Sequence, residues 1–200
     1  MSGETRTPTD PQPGGRRPAP GELALLQSFL NTHWNLRDER RGETLTSPLA
    51  LTDWLASREL VDHRARLGEA DLERALAVRE GLRALAFANN RHDLDRGRVH
   101  AMREASRGAA TGIRIEPDGP QFVAGGATGL DAALGALFAI AARAMIDGSW
   151  DKLKACPGRH CGWVFYDQSR NQSARWCSTK VCGDREKSRA YYLRKTASRR

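Results

Sequence analysis

All four cysteines of this 200-residue chain lie in one short window near its C-terminus. They form two pairs, Cys156 with Cys161 and Cys177 with Cys182; each pair encloses four residues, and fifteen residues separate the pairs. A structural zinc ion takes four tetrahedral ligands, which proteins usually supply as two short-range pairs. The spacing therefore predicts that these four cysteines bind one structural Zn2+ per chain.

Three alternatives to this coordination are open. His160 can replace Cys161 as a ligand, the thiols can stay free in a small core, or they can form disulfides, which a reducing cytoplasm disfavours. A catalytic zinc ion is a different case, because it keeps one coordination position open for water, whereas four thiolates close the site. The role predicted for the metal is to fold a segment of about fifty residues, which has too little core of its own.

The residues between the two pairs indicate how this segment folds. Residues 163–166 are aromatic or β-branched and predict a strand; residues 169–173 form a polar turn, after which the chain returns at 174–176. A helix is predicted from near Ser178, attached to the metal through Cys182. This order of knuckle, hairpin and helix resembles a treble-clef zinc finger.

The positive charge of the chain is concentrated in the same region. The net charge is +8, and residues 150–200 contain 13 Lys and Arg against 4 Asp and Glu, so the other residues are close to neutral. A basic surface ordered by a metal is suited to nucleic-acid phosphates. The predicted phosphate-binding residues are Arg170, Arg175, Arg185, Lys187, Arg189, Arg194 and Lys195. The alternatives are a solvated basic helix and one that docks on an acidic protein.

The rest of the chain predicts a tail and a second domain. Residues 1–20 are predicted to be disordered, because they are rich in Pro, Gly, Thr and Arg and have too little apolar surface to offset the entropy of ordering. Residues 21–148 predict a mostly helical domain with helices from Glu22, from Ser47, and over 70–89, 94–107 and 129–147, and a β-hairpin over 111–126. The expected fold class is α+β: this domain is followed by a zinc finger over 149–200.

Two further observations predict a cytoplasmic protein without a membrane span. The chain opens with polar and proline-rich residues and lacks the apolar stretch of a secretory signal. The longest apolar run, 130–146, is 17 residues long and contains Asp131 and Arg143. A run that short and that charged predicts a buried core helix.

Two arginines lie on the core-facing stripe of the helix predicted over 70–89. At 100° per residue, Arg79 and Arg83 share this stripe with Leu72, Ala75, Leu76, Leu82 and Ala86. A guanidinium group that faces a core needs a partner, because a buried charge without one is costly. These two side chains therefore mark either a structural ion-pair network or a ligand site.

Both hypotheses name further residues. In the first, the arginines reach solvent or pair with carboxylates such as Asp71, Glu80 or Glu104. In the second, they hold the carboxylate or phosphate of a small effector, and Asn31 and Thr32 line the same cavity. The second hypothesis makes residues 21–148 a ligand-sensing domain that precedes a DNA-binding finger.

The segment from Cys156 to Arg194 resembles the CGNR zinc finger of bacterial proteins. The shared features are the runs WVFYD and SRNQSARWCS, and a Cys-Gly-Asp-Arg motif followed by a basic helix that carries tyrosines. In the family the motif reads Cys-Gly-Asn-Arg, so this chain has Asp184 where the family has Asn. The departure leaves the metal ligands intact and adds a negative charge beside the site.

The N-terminal region resembles the ABATE domain that accompanies this finger. The resemblance lies in LALLQSFLNT at 23–32 and SPLALTDWL at 47–55. Members of this family are regarded as stress-induced transcription regulators. The resemblance therefore implies a transcription regulator and favours DNA over RNA as the nucleic acid bound.

Nothing in the sequence predicts an enzyme. There is no HExxH motif, nucleophile elbow or Gly-rich phosphate loop. His92 with Asp93 and Asp95 is a local polar cluster that a helix-capping loop explains. The predicted function is a zinc-dependent, DNA-binding transcription regulator whose N-terminal domain senses a small anion. The alternative is a zinc-stabilised protein-interaction or RNA-binding module without sequence-specific DNA binding.

Overall fold

The computed structural model describes residues 12–34, 42–117, 119–125 and 128–197. The helices are α1 (Leu23–Leu30), α2 (Pro48–Ala56), α3 (Glu69–Ala88), α4 (Arg96–Ala105), α5 (Gly129–Ile146) and α6 (Asp184–Ala197). The strands are β1 (Thr111–Glu116), β2 (Gly119–Ala124), β3 (Leu153–Ala155) and β4 (Val164–Tyr166). Short 3₁₀ turns lie at Pro13–Gly15 and Trp150–Lys152, and a π-helical turn at Thr179–Gly183. The predicted α+β class is confirmed.

Side-chain caps set where two of the helices begin. The Oγ of Ser47 accepts a hydrogen bond from the backbone N–H of Ala50 at 3.1 Å, and Pro48 occupies the first position of α2. Asp95 accepts in the same way from the N–H of Arg98 at 3.0 Å at the start of α4. Each cap satisfies an N–H of the first turn that has no partner inside the helix.

The main hydrophobic core lies between α1, α3 and α5. Leu26 and Phe29 of α1, Leu82 of α3 and Leu134 and Leu137 of α5 are almost completely buried in one cluster. Burial of a side chain of this size stabilises a fold by about 1.5–3 kcal/mol. Packing among these three helices is therefore the main source of stability of the N-terminal domain.

The hairpin and α5 lie at one side of this core. β1 and β2 pair antiparallel with Ile113 opposite Phe122, as the sequence predicts. Within the part of the chain that the structure describes, α5 is the one helix long and apolar enough to span a membrane by length and composition. Half of this helix is nevertheless buried inside the protein.

The β3–β4 hairpin connects the cysteine segment to the main core. The two strands pair antiparallel, with Ala155 opposite Val164. The predicted strand at 163–166 is confirmed, but the expected return at 174–176 is wrong as its partner, because residues 153–155, before the first cysteine, form the pairing strand. Because successive side chains of a strand point to opposite faces, Val164 and Tyr166 pack into the main core, whereas Phe165 packs with the cysteines in a second, smaller cluster. The β3–β4 hairpin thus follows the N-terminal domain in sequence but shares its hydrophobic core.

Residues 12–20 depart from the expectation of a disordered tail, and residues 1–11 lie outside the described residues. The guanidinium of Arg16 donates to the backbone carbonyls of Cys177 at 2.8 Å and Trp176 at 3.0 Å. It also stacks over the ring of Phe165, 4.8 Å from the centroid, and Ala19 is buried in the main core. Composition does not reveal these contacts, because their acceptors lie about 160 residues away in the sequence.

Candidate metal centre and basic helix

The four predicted ligands lie together. The Sγ atoms of Cys156, Cys161, Cys177 and Cys182 are all within 4.8 Å of one another, and the thiols are free. The Sγ of Cys177 is 3.6 Å from the Sγ atoms of both Cys161 and Cys182. Four sulfurs placed tetrahedrally at about 2.3 Å from a zinc ion are about 3.8 Å apart. The sulfur positions therefore fit a structural zinc ion.

His160 has a different role from the one considered for it as a ligand. Its Nε2 accepts a hydrogen bond from the Nε of Arg159 at 3.0 Å, and its backbone has a φ of 65°, in the left-handed region. The cluster of candidate metal ligands contains the four cysteines and does not include this imidazole. His160 thus forms part of the turn between the first two ligands.

The thiols are close enough to compete for protons. The pKa of Cys156 is lowered because the neighbouring thiols of Cys161 and Cys177 donate hydrogen bonds to it, and the pKa values of those two donors are raised for the same reason. One thiolate is thus stabilised at the expense of the others. A bound zinc dication removes this competition, because all four sulfurs then bind it as thiolates.

Local backbone hydrogen bonds aim the cysteines at one point. In the first pair, the N–H of Cys156 donates to the carbonyl of Trp163 at 2.8 Å, and the N–H of Cys161 donates to the carbonyl of Gly158 at 2.7 Å. In the second pair, the N–H of Cys182 donates to the carbonyl of Ser178 at 2.9 Å. Each pair therefore forms a tight turn, as its spacing predicts.

The N-terminal domain holds the first cysteine pair from outside. Asn31 of the α1 C-terminus pairs with both backbone groups of Val164, accepting from its N–H and donating to its carbonyl, each at 2.8 Å. Asn90 donates to the carbonyl of Ala155, which precedes the ligand Cys156, at 2.7 Å. Sequence analysis placed Asn31 in a ligand cavity, whereas its amide binds the backbone of Val164, and it did not single out Asn90. The available signal was an Asn on or next to an otherwise apolar helix face.

Arg83 connects α3 to the same turn. Its Nη1 donates to the carbonyl of Gly162, the residue after Cys161, at 2.7 Å. Its Nη2 donates to the carbonyls of Leu30 and His33 at 2.5 and 2.7 Å. The side chain is fully buried, so these carbonyls and a neighbouring carboxylate replace all of its solvent contacts.

Carboxylates complete the network around the two buried arginines. Glu43 binds Arg79 with both oxygens, at 2.7 and 2.6 Å, and Glu80 accepts from the Nε of Arg79 at 2.9 Å and from the Nε of Arg83 at 3.0 Å. Thr32 accepts from Arg79 at 3.0 Å. This arrangement corrects the expectation of an open anion pocket at Arg79 and Arg83. Both guanidinium groups donate to carboxylates and other acceptors of the protein itself, as in the ion-pair hypothesis.

The charge state of Glu80 follows from this network. Burial alone would raise the pKa of Glu80, but interaction with His33 and the positive charges of Arg83 and Arg79 outweigh burial and hold the pKa well below its usual range. Glu80 is therefore a carboxylate at neutral pH. It keeps two buried guanidinium groups compensated, which a neutral side chain at this position cannot do.

A second buried ion pair shapes the hairpin of the finger. The Nζ of Lys154 lies 2.7 Å from Asp167 and also donates to the carbonyl of Gln172. Asp167 in turn accepts from the N–H groups of Ser169 and Ala174. These bonds hold the polar turn that carries Arg170. Sequence analysis missed this pair, because a lysine within a strand gives no signal of its partner.

The predicted phosphate-binding residues lie on two segments, the loop after β4 and the helix α6. Arg170 lies in the exposed turn after β4, and Arg175 is exposed next to Trp176, whose ring is 6.0 Å from its guanidinium. The other five lie on α6 and are all exposed: Arg185, Lys187, Arg189, Arg194 and Lys195. From Asp184 to Thr196, no residue of α6 is buried. The helix is attached through its N-terminus, where Cys182 and Gly183 are buried.

Two protein-family models match this chain, one over the N-terminal domain and one over the cysteine segment. The family model described as "Putative stress-induced transcription regulator" (ABATE) matches residues 21–148, which is more than half of the chain. The model described as "CGNR zinc finger" matches residues 152–195. Both resemblances predicted from the sequence are thereby confirmed, in the same order. No match was found among curated proteins.

Proposed function

The chain belongs to the ABATE family, whose model is described as "Putative stress-induced transcription regulator", and we propose that it is a zinc-dependent regulator that binds DNA through its C-terminal segment. The zinc ion orders this segment and has no catalytic role, because four thiolates leave no coordination position for a substrate. The basic side chains of α6, together with Arg170 and Arg175, bind phosphates.

The exposure of α6 is the observation that carries this proposal. Five Lys and Arg side chains lie on a helix of which no described residue from Asp184 to Thr196 is buried. At 100° per residue, Arg185 and Arg189 lie on one side of the helix, and Lys187 and Arg194 lie on the opposite side. A helix in the major groove has a phosphate backbone on each side. Basic residues on two sides suit that geometry better than contact with a single flat surface.

The metal centre supports the proposal by fixing where this helix starts. An isolated helix of about fourteen residues is marginally stable in water. Here the turn before α6 contains Cys182, and the preceding ligand Cys177 is bound through its carbonyl by Arg16. Zinc therefore orients the basic helix relative to the rest of the chain, and the metal affects DNA affinity through structure.

Exposed apolar side chains on α6 favour a second candidate. Tyr191, Tyr192 and Leu193 are 54%, 67% and 60% exposed. Such residues anchor protein interfaces, and tyrosines also stack on unpaired bases. In this alternative, the zinc-ordered helix binds a protein partner or single-stranded RNA.

Selection of bound duplexes from a random DNA pool by the full-length, zinc-loaded protein distinguishes the two candidates. A sequence-specific regulator enriches a motif over successive rounds, and Cys177→Ser, which removes a ligand, enriches none. Asn171→Ala, an exposed change in the turn after β4, is the matched control and should enrich the same motif. Failure of the wild-type protein to enrich any DNA motif contradicts the proposed function. Enrichment from an RNA pool instead favours the alternative.

A further inference from the structure

A cavity of about 600 Å³ lies beside the metal centre, between the N-terminal domain, the first cysteine pair and α6. Its walls include Trp34, Trp163, Arg159, Arg185 and Arg189. Pockets that bind small molecules have volumes of about 300–1,000 Å³. Three of the cysteines border the cavity, but one ion enclosed by their sulfurs fills only a small part of this volume. The remaining space is large enough for an organic ligand.

Two tryptophans give the cavity an aromatic wall. The rings of Trp34 and Trp163 meet edge to face, with 6.2 Å between their centroids and 62° between their planes. Trp34 is 46% exposed, which is high for so large an apolar side chain. The one polar atom of Trp163, its indole N–H, already donates to Gln12 at 3.2 Å. This wall therefore offers aromatic and apolar contact, which suits a flat apolar ligand.

The rim of the cavity is positively charged. Of the described residues that border it, three are arginines and one, Glu186, is a carboxylate. That carboxylate is shared, because it accepts the backbone N–H of Arg159 at 2.8 Å and lies 3.7 Å from Arg189. Among the described residues, Arg185 has no hydrogen-bond or ion-pair partner. The rim thus carries positive charge that the described residues around it do not fully compensate.

We propose that this cavity binds a small aromatic anion, that is, a planar ring system with a carboxylate or a similar acidic group. The ring packs against Trp34 and Trp163, and the acidic group accepts charge-assisted hydrogen bonds from Arg185 and Arg189. Inorganic phosphate has no apolar body to cover the tryptophans. A neutral aromatic compound leaves the charge of Arg185 uncompensated.

The position of the cavity gives such a ligand an influence on α6, and this part of the inference rests on the proposed function. Arg185 and Arg189 border the cavity and also belong to the proposed phosphate-binding surface. A guanidinium group that holds the ligand's acidic group is no longer free for a DNA phosphate. Ligand and DNA therefore weaken each other's binding, by the same factor in both directions.

Titration calorimetry of the full-length, zinc-loaded protein without DNA tests the site. The probes are benzoate, 1-naphthoate and indole-3-carboxylate, each compared with its neutral amide. We expect at least one acid to bind with an affinity about tenfold higher than that of its amide, since one hydrogen bond to a charged group accounts for a factor of about ten. Absence of binding by all three acids, or equal affinities of every acid and its amide, overturns the proposal.

Three variants locate the binding. Trp34→Ala and Arg185→Ala should each weaken binding of the acid about tenfold, and neither side chain belongs to the hydrophobic core. The matched control is Arg114→Ala, an exposed arginine of β1 that should leave the affinity unchanged. Zinc content shows that each variant keeps its fold. Unchanged affinity in both Trp34→Ala and Arg185→Ala places the ligand elsewhere and overturns the assignment.

Competition with a random-sequence DNA duplex tests the influence on α6. Saturation with the best acid should weaken DNA binding severalfold, and saturation with its amide should not. Unchanged DNA affinity in the presence of bound acid shows that the cavity does not regulate α6. If the protein binds no DNA at all, the proposed function fails, whereas the calorimetric result on the cavity still stands.

Discussion

Asn31 pairs with both backbone groups of Val164 at 2.8 Å, across 133 residues of sequence. In a β-sheet this pair of bonds comes from a neighbouring strand, and here one side chain provides them. Val164 lies three residues after the ligand Cys161 and is fully buried. The contact therefore couples the end of α1 directly to the zinc finger.

Asn31→Ala should lower the free energy of unfolding by about 2–3 kcal/mol. The substitution leaves the buried N–H of Val164 without an acceptor, and that desolvation cost is not recovered. The carbonyl keeps a donor in Gln27, at 3.1 Å, which limits the loss. Urea unfolding of the zinc-loaded protein measures the change. Asn171→Ala is the control and should stay within about 0.5 kcal/mol of wild type; equal stability of the two variants would contradict this account.

One zinc ion should bind per chain, and its removal should destabilise the entire fold. Because Val164 and Tyr166 pack into the same core as α1, α3 and α5, loss of the metal is not confined to the C-terminal segment. Metal analysis gives the stoichiometry, and thermal unfolding with and without a chelator gives the effect. We expect one cooperative transition that shifts to lower temperature in the chelator. An unshifted transition of the N-terminal helices would show that the two regions unfold independently.

Replacement of Glu80 should have an effect that depends on pH. Burial opposes the charge, yet His33, Arg83 and Arg79 hold the pKa of Glu80 below the usual carboxyl value of about 4.5. A lowered pKa contributes stability that is fully present above pH 4.5 and is lost as the pH falls through the folded-state pKa. Glu80→Gln should therefore be less stable than wild type by about 3 kcal/mol at pH 7, because it leaves buried guanidinium groups without a counter-charge.

The difference between wild type and Glu80→Gln should shrink below pH 4.5, by at most about 1.4 kcal/mol per pH unit. Urea unfolding of both proteins at several pH values from 7 to 3.5 measures it. Both proteins have the same cysteines, so acid release of zinc affects them alike. A difference that stays constant over this range would show that the charge of Glu80 does not stabilise the fold.

DNA affinity should fall steeply with salt. If Arg175, Arg185, Lys187, Arg189 and Arg194 each neutralise one phosphate, a plot of log K against log salt has a slope of about −4.5. Each single Arg→Ala change among them should reduce the magnitude of the slope by about 1, whereas Arg114→Ala should not change it. Fluorescence anisotropy with a labelled duplex gives the slope. A slope near zero would exclude phosphate binding by this surface.

The sequence by itself determined those features of this protein that are set by residues close together in the chain. Cysteine spacing predicted the ligand set, because two short turns suffice to aim each pair. Helical and alternating apolar patterns predicted α1 to α5, the β1–β2 hairpin and the strand at 163–166, but they did not identify β3 as the partner of that strand. The caps at Ser47 and Asp95 act within three residues, so they too can be recognised locally.

Only the tertiary structure decided which partners lie far apart in sequence. It showed that Arg79 and Arg83 bind Glu43, Glu80 and the turn of the finger, although the helical pattern alone also allowed a ligand site. It also placed Trp34 beside Trp163 and Arg185, and packed Arg16 against the second cysteine pair. The physical reason is that hydrogen bonds and charges act over a few ångströms in space. The separation along the chain between such partners leaves no periodic pattern from which they can be identified.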